Sequence, residues 1–85
     1  MKQYFVVEVT DTFSGEANYC WAHRFKVKAS TMMGAIRKVG QEMGLSFRKD
    51  WDCGDTARYN AKRACICAFV DWLNESQEYG NMKEL

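Results

Sequence analysis

Residues 29–45 read ASTMMGAIRKVGQEMGL, and this stretch repeats its apolar residues at helical spacing. Met32, Ile36, Val39 and Met43 fall four, three and four apart, which lines them up on one face of a helix. Ser30 or Thr31 supplies an N-cap hydroxyl for an orphan amide of the first turn. Gly44 stands where a left-handed residue ends a helix, and Leu45 follows as the apolar residue that folds back on the last turn. Arg37, Lys38, Gln41 and Glu42 take the solvent side. The pattern predicts one amphipathic helix of about 13 residues, with no catalytic side chain on it. Whatever else the chain forms must supply a surface for that stripe.

Two alternating runs precede it. In residues 3–10, Phe5, Val7 and Val9 share one side and Tyr4, Val6, Glu8 and Thr10 the other, as in a strand. Residues 11–16 are turn chemistry with Gly15 to take a positive φ. In residues 17–29, Tyr19, Trp21, His23, Phe25, Val27 and Ala29 form an apolar face, and Arg24, Lys26 and Lys28 a basic one. The two runs predict an antiparallel hairpin. After the helix, residues 46–56 are polar, with a short strand at 47–49 or an ordered loop. Residues 57–73 admit two readings. As a helix they align Ala61, Cys65, Ala68 and Trp72; as β structure they split into a strand at 57–60, a turn at 61–63 and a strand at 64–73. The second reading is preferred, because an isolated hairpin needs further strands to be stable.

The expected architecture is therefore α+β: a small antiparallel sheet of three to five strands, with one amphipathic helix on one face, ordered ββαβ or ββαββ. Residues 1–73 would form this single domain and residues 74–85 a polar, acidic tail, frayed or with a turn of helix. The face away from the helix would be open to water or to a partner.

Charge and cysteine content narrow the function. The 85 residues carry a net charge of +1, which as a total argues for neither nucleic acid nor membrane. The distribution is uneven: −2 over residues 1–23, +6 over residues 24–63 and −3 over residues 64–85. Such a dipolar surface steers a partner even when the total is near zero. The N-terminus has no signal-peptide pattern, and no apolar run approaches the roughly 20 residues of a membrane span. A cytoplasmic protein with Cys20, Cys53, Cys65 and Cys67 as reduced thiols is the expectation.

The candidate chemistries each meet an objection. Cys20 and His23 are three apart in a strand and so point to opposite faces, and Cys65-x-Cys67 lacks the C-x-x-C spacing of structural zinc. No metal or cofactor is expected. His23 has no evident nucleophile beside it, and the glycines on the helix do not make a phosphate loop; no enzyme is expected. The basic face with Tyr4, Tyr19, Trp21 and Tyr59 nearby has the ingredients of a single-stranded DNA or RNA binder, although most of these rings fall on the face assigned to the core.

Phe25-Lys26-Val27-Lys28-Ala29-Ser30, then Ala35-Ile36-Arg37-Lys38, then Gly44-Leu45 and Phe47-Arg48-Lys49 resemble small proteins encoded by bacteriophages and prophages. In those a strand runs through a short elbow into one amphipathic helix. The resemblance covers about 25 of the 85 residues and includes compact proteins similar to anti-CRISPR inhibitors. It implies a non-enzymatic protein that docks on a host macromolecular complex, a protein or a ribonucleoprotein. It carries over no functional residues. From surface chemistry alone, the partner-binding candidates are Arg24, Lys26, Lys28, Arg48 and Lys49. A stand-alone single-stranded nucleic-acid-binding domain is the alternative, and no membrane partner is expected. A sheet with an open face and free edges also has reason to pair with itself as a homodimer.

Overall fold

A computed structural model describes residues 3–73 and 82–85. The elements run β1 (Gln3–Phe13), β2 (Glu16–Ala29), α1 (Met32–Met43), β3 (Phe47–Asp52), β4 (Thr56–Ala61), β5 (Ile66–Trp72) and β6 (Lys83–Glu84). All six strands among the described residues belong to one sheet in the order β3-β4-β5-β1-β2-β6. Every neighbouring pair is antiparallel except β2 with β6, which is parallel.

The expected sheet of three to five antiparallel strands is thus corrected to a mixed sheet of six, and ββαβ or ββαββ to ββαββββ. Two edges account for the difference. β3 is longer than residues 47–49, yet it reads Phe-Arg-Lys-Asp-Trp-Asp and is exposed beyond Phe47. β6 lies in the segment expected to be a polar tail, of which residues 74–81 fall outside the described residues. An edge strand that buries few side chains has no apolar alternation to announce it. β6 is held by backbone bonding, by an apolar anchor and by the Lys83–Glu42 ion pair to α1. The Leu85 amide donates to the Lys26 carbonyl at 2.8 Å, and the Leu85 side chain packs against the core.

The core forms between the helix and one sheet face. Phe5, Val7 and Val9 of β1 align with Val27, Phe25 and His23 of β2, and with Trp72, Val70 and Ala68 of β5. Against this face pack Ala35, Ile36 and Val39, with Met32 and Met43 half-buried beside them. Thr31 caps the helix by accepting the Gly34 amide at 3.0 Å. Gly44, at φ 68°, ends it, its amide bonded to the Gly40 carbonyl. Gly40 is there for space: a Cβ on it would lie 2.6 Å from the Leu45 carbonyl oxygen.

The helix covers only part of the sheet. Its 12 residues span about 18 Å, whereas the 14 residues of β2 would span about 46 Å if straight. Phe25, Val27 and Ala29 are buried beneath it, while Tyr19, Trp21 and His23, expected on the core face, are exposed. Trp21 and His23 instead rest on each other, and His23 on Phe25, with ring centroids 5.4 and 6.5 Å apart.

Ile36→Ala should destabilise the fold by about 2–5 kcal/mol, and Gln41→Ala by no more than about 0.5 kcal/mol, in a denaturant melt. Gly40→Ala should also destabilise, although alanine is the better helix former by about 1 kcal/mol. A Gly40→Ala variant as stable as the parent would mean that Leu45 does not press on the helix.

Candidate functional site: the outer face of the sheet

The face away from the helix is a grid set by strand register. One row across five strands reads Trp51, Arg58, Phe69, Glu8 and Arg24; the next reads Thr56, Asp71, Val6 and Lys26, with Glu84 beyond. Tyr4 and Lys28 follow at one end, and Arg48, Asn60, Cys67, Thr10 and Ala22 make a row at the other. The interactions follow the rows. Arg24 Nε donates to Glu8 Oε2 at 2.8 Å. Arg58 lies 5.7 Å from the Phe69 ring centroid and 3.5 Å from an Asp50 carboxylate oxygen. Trp51 and Phe69 are 6.5 Å apart by their centroids. Lys26 and Lys28 stand 4.5 and 5.7 Å from the Tyr4 ring; a cation over an aromatic face is worth about 0.5–1 kcal/mol when exposed.

This geometry divides the five candidate residues. Arg24, Lys26 and Lys28 do share one face of β2. Arg48 shares that face but stands on β3, four strands away, or about 19 Å at ~4.8 Å per strand. Lys49 aligns with Tyr59 on the helix side and pairs with Asp52 at 3.3 Å. Between the two groups lie Arg58, Phe69 and Trp51, which are absent from the sequence-based candidates. Only Arg58 has a local signal, the alternation of Ala57 and Tyr59 with Arg58 and Asn60, visible once residues 57–60 are read as a strand.

The outer face is also not flat. Arg58 Nη2 donates to the Gly15 carbonyl at 2.6 Å. Arg58 is level with Glu8 in the sheet, and a straight strand would carry Gly15 about 23 Å beyond that level. The end of the β1–β2 hairpin must therefore fold back over the outer face. It closes with a two-residue turn, Ser14 (φ 53°) and Gly15 (φ 83°), of the kind whose twist suits a hairpin. Thr10 and Cys67, although on the outer face, are fully buried, and burial pushes the Cys67 thiol up. Phe13 is left 74% exposed at the tip.

A bulge makes the fold-back. Register slips between Thr10 and Thr12 of β1, opposite Ala22 and Ala17 of β2, so β2 has extra residues and bends. Tyr19 takes φ 56° there, a conformation that costs a residue with a Cβ about 1–3 kcal/mol. The side chains of β1 hold it. Thr10 Oγ1 accepts the Tyr19 amide at 3.1 Å and donates to the Trp21 carbonyl at 2.8 Å. Asp11 accepts the Asn18 side-chain amide at 2.8 Å and the Cys20 amide at 2.9 Å. The Asn18 bond, with those from the backbone, holds the Asp11 carboxyl below its usual value. Partial burial and neighbouring Glu8 push the Tyr19 phenol up.

Elsewhere a cleft of about 530 Å³ opens where the end of α1 meets β2 and β6, bridged by the Lys83–Glu42 ion pair. Among the described residues no three His, Cys, Asp or Glu side chains come together to hold a metal ion. No helix among them is long and apolar enough to cross a membrane.

Two variants test the fold-back. Arg58→Gln should speed amide exchange across residues 12–17 and leave the amides of β1 at Phe5–Val9 protected; unchanged exchange at the tip would mean that Arg58 does not hold it. Asp11 is the acid-sensitive element of the fold-back. With a folded-state value below the unfolded one near about 3.9, its contribution is complete above that pH and disappears as pH falls through the folded-state value. The melting temperatures of the parent and Asp11→Asn should therefore differ most near neutrality and converge in acid. A gap that widens below pH 4 would contradict this.

Compared with known proteins, the chain matches no protein-family model, no curated protein and no solved structure.

Proposed function

We propose that the chain is a small non-enzymatic binding protein, phage- or mobile-element-encoded and anti-CRISPR-like, that acts in the cytoplasm by docking on a host macromolecular complex. The observation that carries this is the cross-strand row Trp51–Arg58–Phe69–Glu8–Arg24. Tryptophan and arginine dominate the energetic centres of protein interfaces, and here they sit with a phenylalanine on the sheet face that no described helix covers, beside the folded-back hairpin tip. Both signs of charge occur: Glu8, Asp50 and Asp71 stand among Arg24, Arg58 and Lys26. A mixed pattern suits a protein surface of complementary pattern better than a phosphate backbone, which the carboxylates would repel. The resemblance of the strand–elbow–helix segment to phage-encoded proteins supports the same reading.

A second reading has its own observation. The Tyr4 ring with Lys26 and Lys28 beside it pairs a stacking surface with cations, as single-stranded nucleic-acid binders do.

One titration separates the two. If nucleic acid binds directly, affinity must fall with salt at a log–log slope near 0.7 per phosphate contact on single strands. Replacing Lys26 and Lys28 together would then lower the slope by about 1–1.5. Fluorescence anisotropy with mixed oligonucleotides should show no binding even at about 50 mM salt, a condition at which phosphate contacts are strong. Tight binding at about 200 mM, lost in the double variant, would favour the second reading. For the first reading, expressing the chain in a bacterium whose interference complex blocks a phage should restore plaques, and Trp51→Ala with Arg24→Ala should abolish the rescue. Failure to rescue against every class of interference complex would sink the inhibitor reading.

A further inference from the structure

On the helix side of the sheet, away from the outer face, a groove of about 490 Å³ runs between α1 and the start of β3. Its apolar wall is Ile36, Leu45 and Phe47, and its rim carries Arg37 and Lys62. A contiguous recess of about 290 Å³ shares Lys62 and adds Arg63. The shape is built into the backbone. Gly44 turns the chain at φ 68°, Gly40 lets the Leu45 carbonyl come against the helix, and the Ser46 carbonyl accepts the Lys62 amide at 2.8 Å. That last bond ties the turn bearing Lys62 and Arg63 to the loop that forms the groove.

The charge is one-sided. Among the described residues no carboxylate lines either recess. Among the described residues, Arg37, Lys62 and Arg63 form no ion pair, whereas Arg24, Arg58, Lys49 and Lys83 each do. The carbonyl end of α1 lies beside them and carries about half a negative charge, which offsets less than one of the three. Three exposed cations around a concave apolar wall attract an anion and give its uncharged part somewhere to rest. The volume falls within the roughly 300–1,000 Å³ of small-molecule sites.

We propose that this groove binds a phosphorylated small molecule of nucleotide size. The phosphate lies between Arg37 and the Lys62–Arg63 turn, where a guanidinium makes paired bonds to phosphate oxygens. The planar part of the ligand lies on Leu45 and Phe47. This site stands apart from the docking face, so the two succeed or fail separately.

The test is an amide NMR titration of the full chain with AMP, adenosine and inorganic phosphate. AMP should shift the amides of Arg37, Gln41, Ser46 and Lys62. Phosphate should move the same amides with weaker affinity, and adenosine should not move them. Arg37→Gln with Lys62→Gln should weaken AMP binding by at least about tenfold, the loss expected for charged hydrogen bonds, whereas Lys26→Gln should leave it unchanged. All three cations are exposed, so the variants should keep the dispersed spectrum of the parent. Should one not, a loss of AMP affinity with added salt in the parent reports on the same phosphate contacts. The proposal is overturned by the absence of AMP shifts at millimolar ligand, by indifference of AMP binding to the double variant or to salt, or by adenosine binding as well as AMP. Phosphate binding as tightly as AMP would remove the nucleotide-sized ligand.

Discussion

A single 12-residue helix is the only layer this chain lays over its six-stranded sheet among the described residues. That shortage of cover organises the rest. Beneath α1 the sheet is buried and aliphatic, with Val7, Val27, Val39 and Val70 fully enclosed. Where the helix stops, β2 becomes exposed, and Trp21 and His23 rest on one another. On the opposite face there is no second layer among the described residues, so the sheet covers itself. The end of its longest hairpin folds back, and rings and cations pack laterally along the strand rows. Edge strands that would invite another sheet are blunted by charge at β3, by a bulge in β2 and by the short β6.

The helix is legible in the sequence to within a residue or so, because four signals agree: Thr31 as cap, the Met32–Ile36–Val39–Met43 stripe, Gly44 as terminator and Leu45 after it. The faces of β1 are equally plain from Phe5, Val7 and Val9. The preference for two strands in residues 57–73 corresponds to β4 and β5. What periodicity does not show is structure held by backbone or polar side chains. β6 has two residues, both charged and exposed. The fold-back depends on Thr10 and Asp11 bonding to main-chain amides eight or more residues ahead, which no short motif encodes. Counting alternate residues puts Tyr19 on the apolar face, and the bulge invalidates the count.

The candidate site is legible by strand but not by sheet. Arg24, Lys26 and Lys28 group on one face because residues two apart in a strand must share it. Joining them with Arg48 and Lys49 requires the strand order, which places β3 at the far edge and turns Lys49 to the other side. The row of Trp51, Arg58 and Phe69 draws on three strands. It exists only as a consequence of register, so it has no signature in any one segment. The groove beside α1 is of the same kind: its cations come from a helix and from a turn about 25 residues later.

The fold-back has a consequence for how this molecule comes apart. The tip of the hairpin is held from outside by Arg58 and, through the bond from the Thr12 amide to the Cys65 carbonyl at 2.8 Å, by the β4–β5 turn. Both contacts are distant in sequence and neither lies in the aliphatic core. The hairpin can therefore close early in folding, yet its tip can settle only after β4 and β5 have joined β1, since long-range contacts must await loop closure. The reverse motion is equally local. Releasing the two outside hydrogen bonds leaves the bulge still held by Thr10 and Asp11, so loosening stays confined to the tip while β1 remains paired at Phe5–Val9. The cover over Thr10 and Cys67 therefore depends on polar contacts of the hairpin tip and not on the aliphatic core.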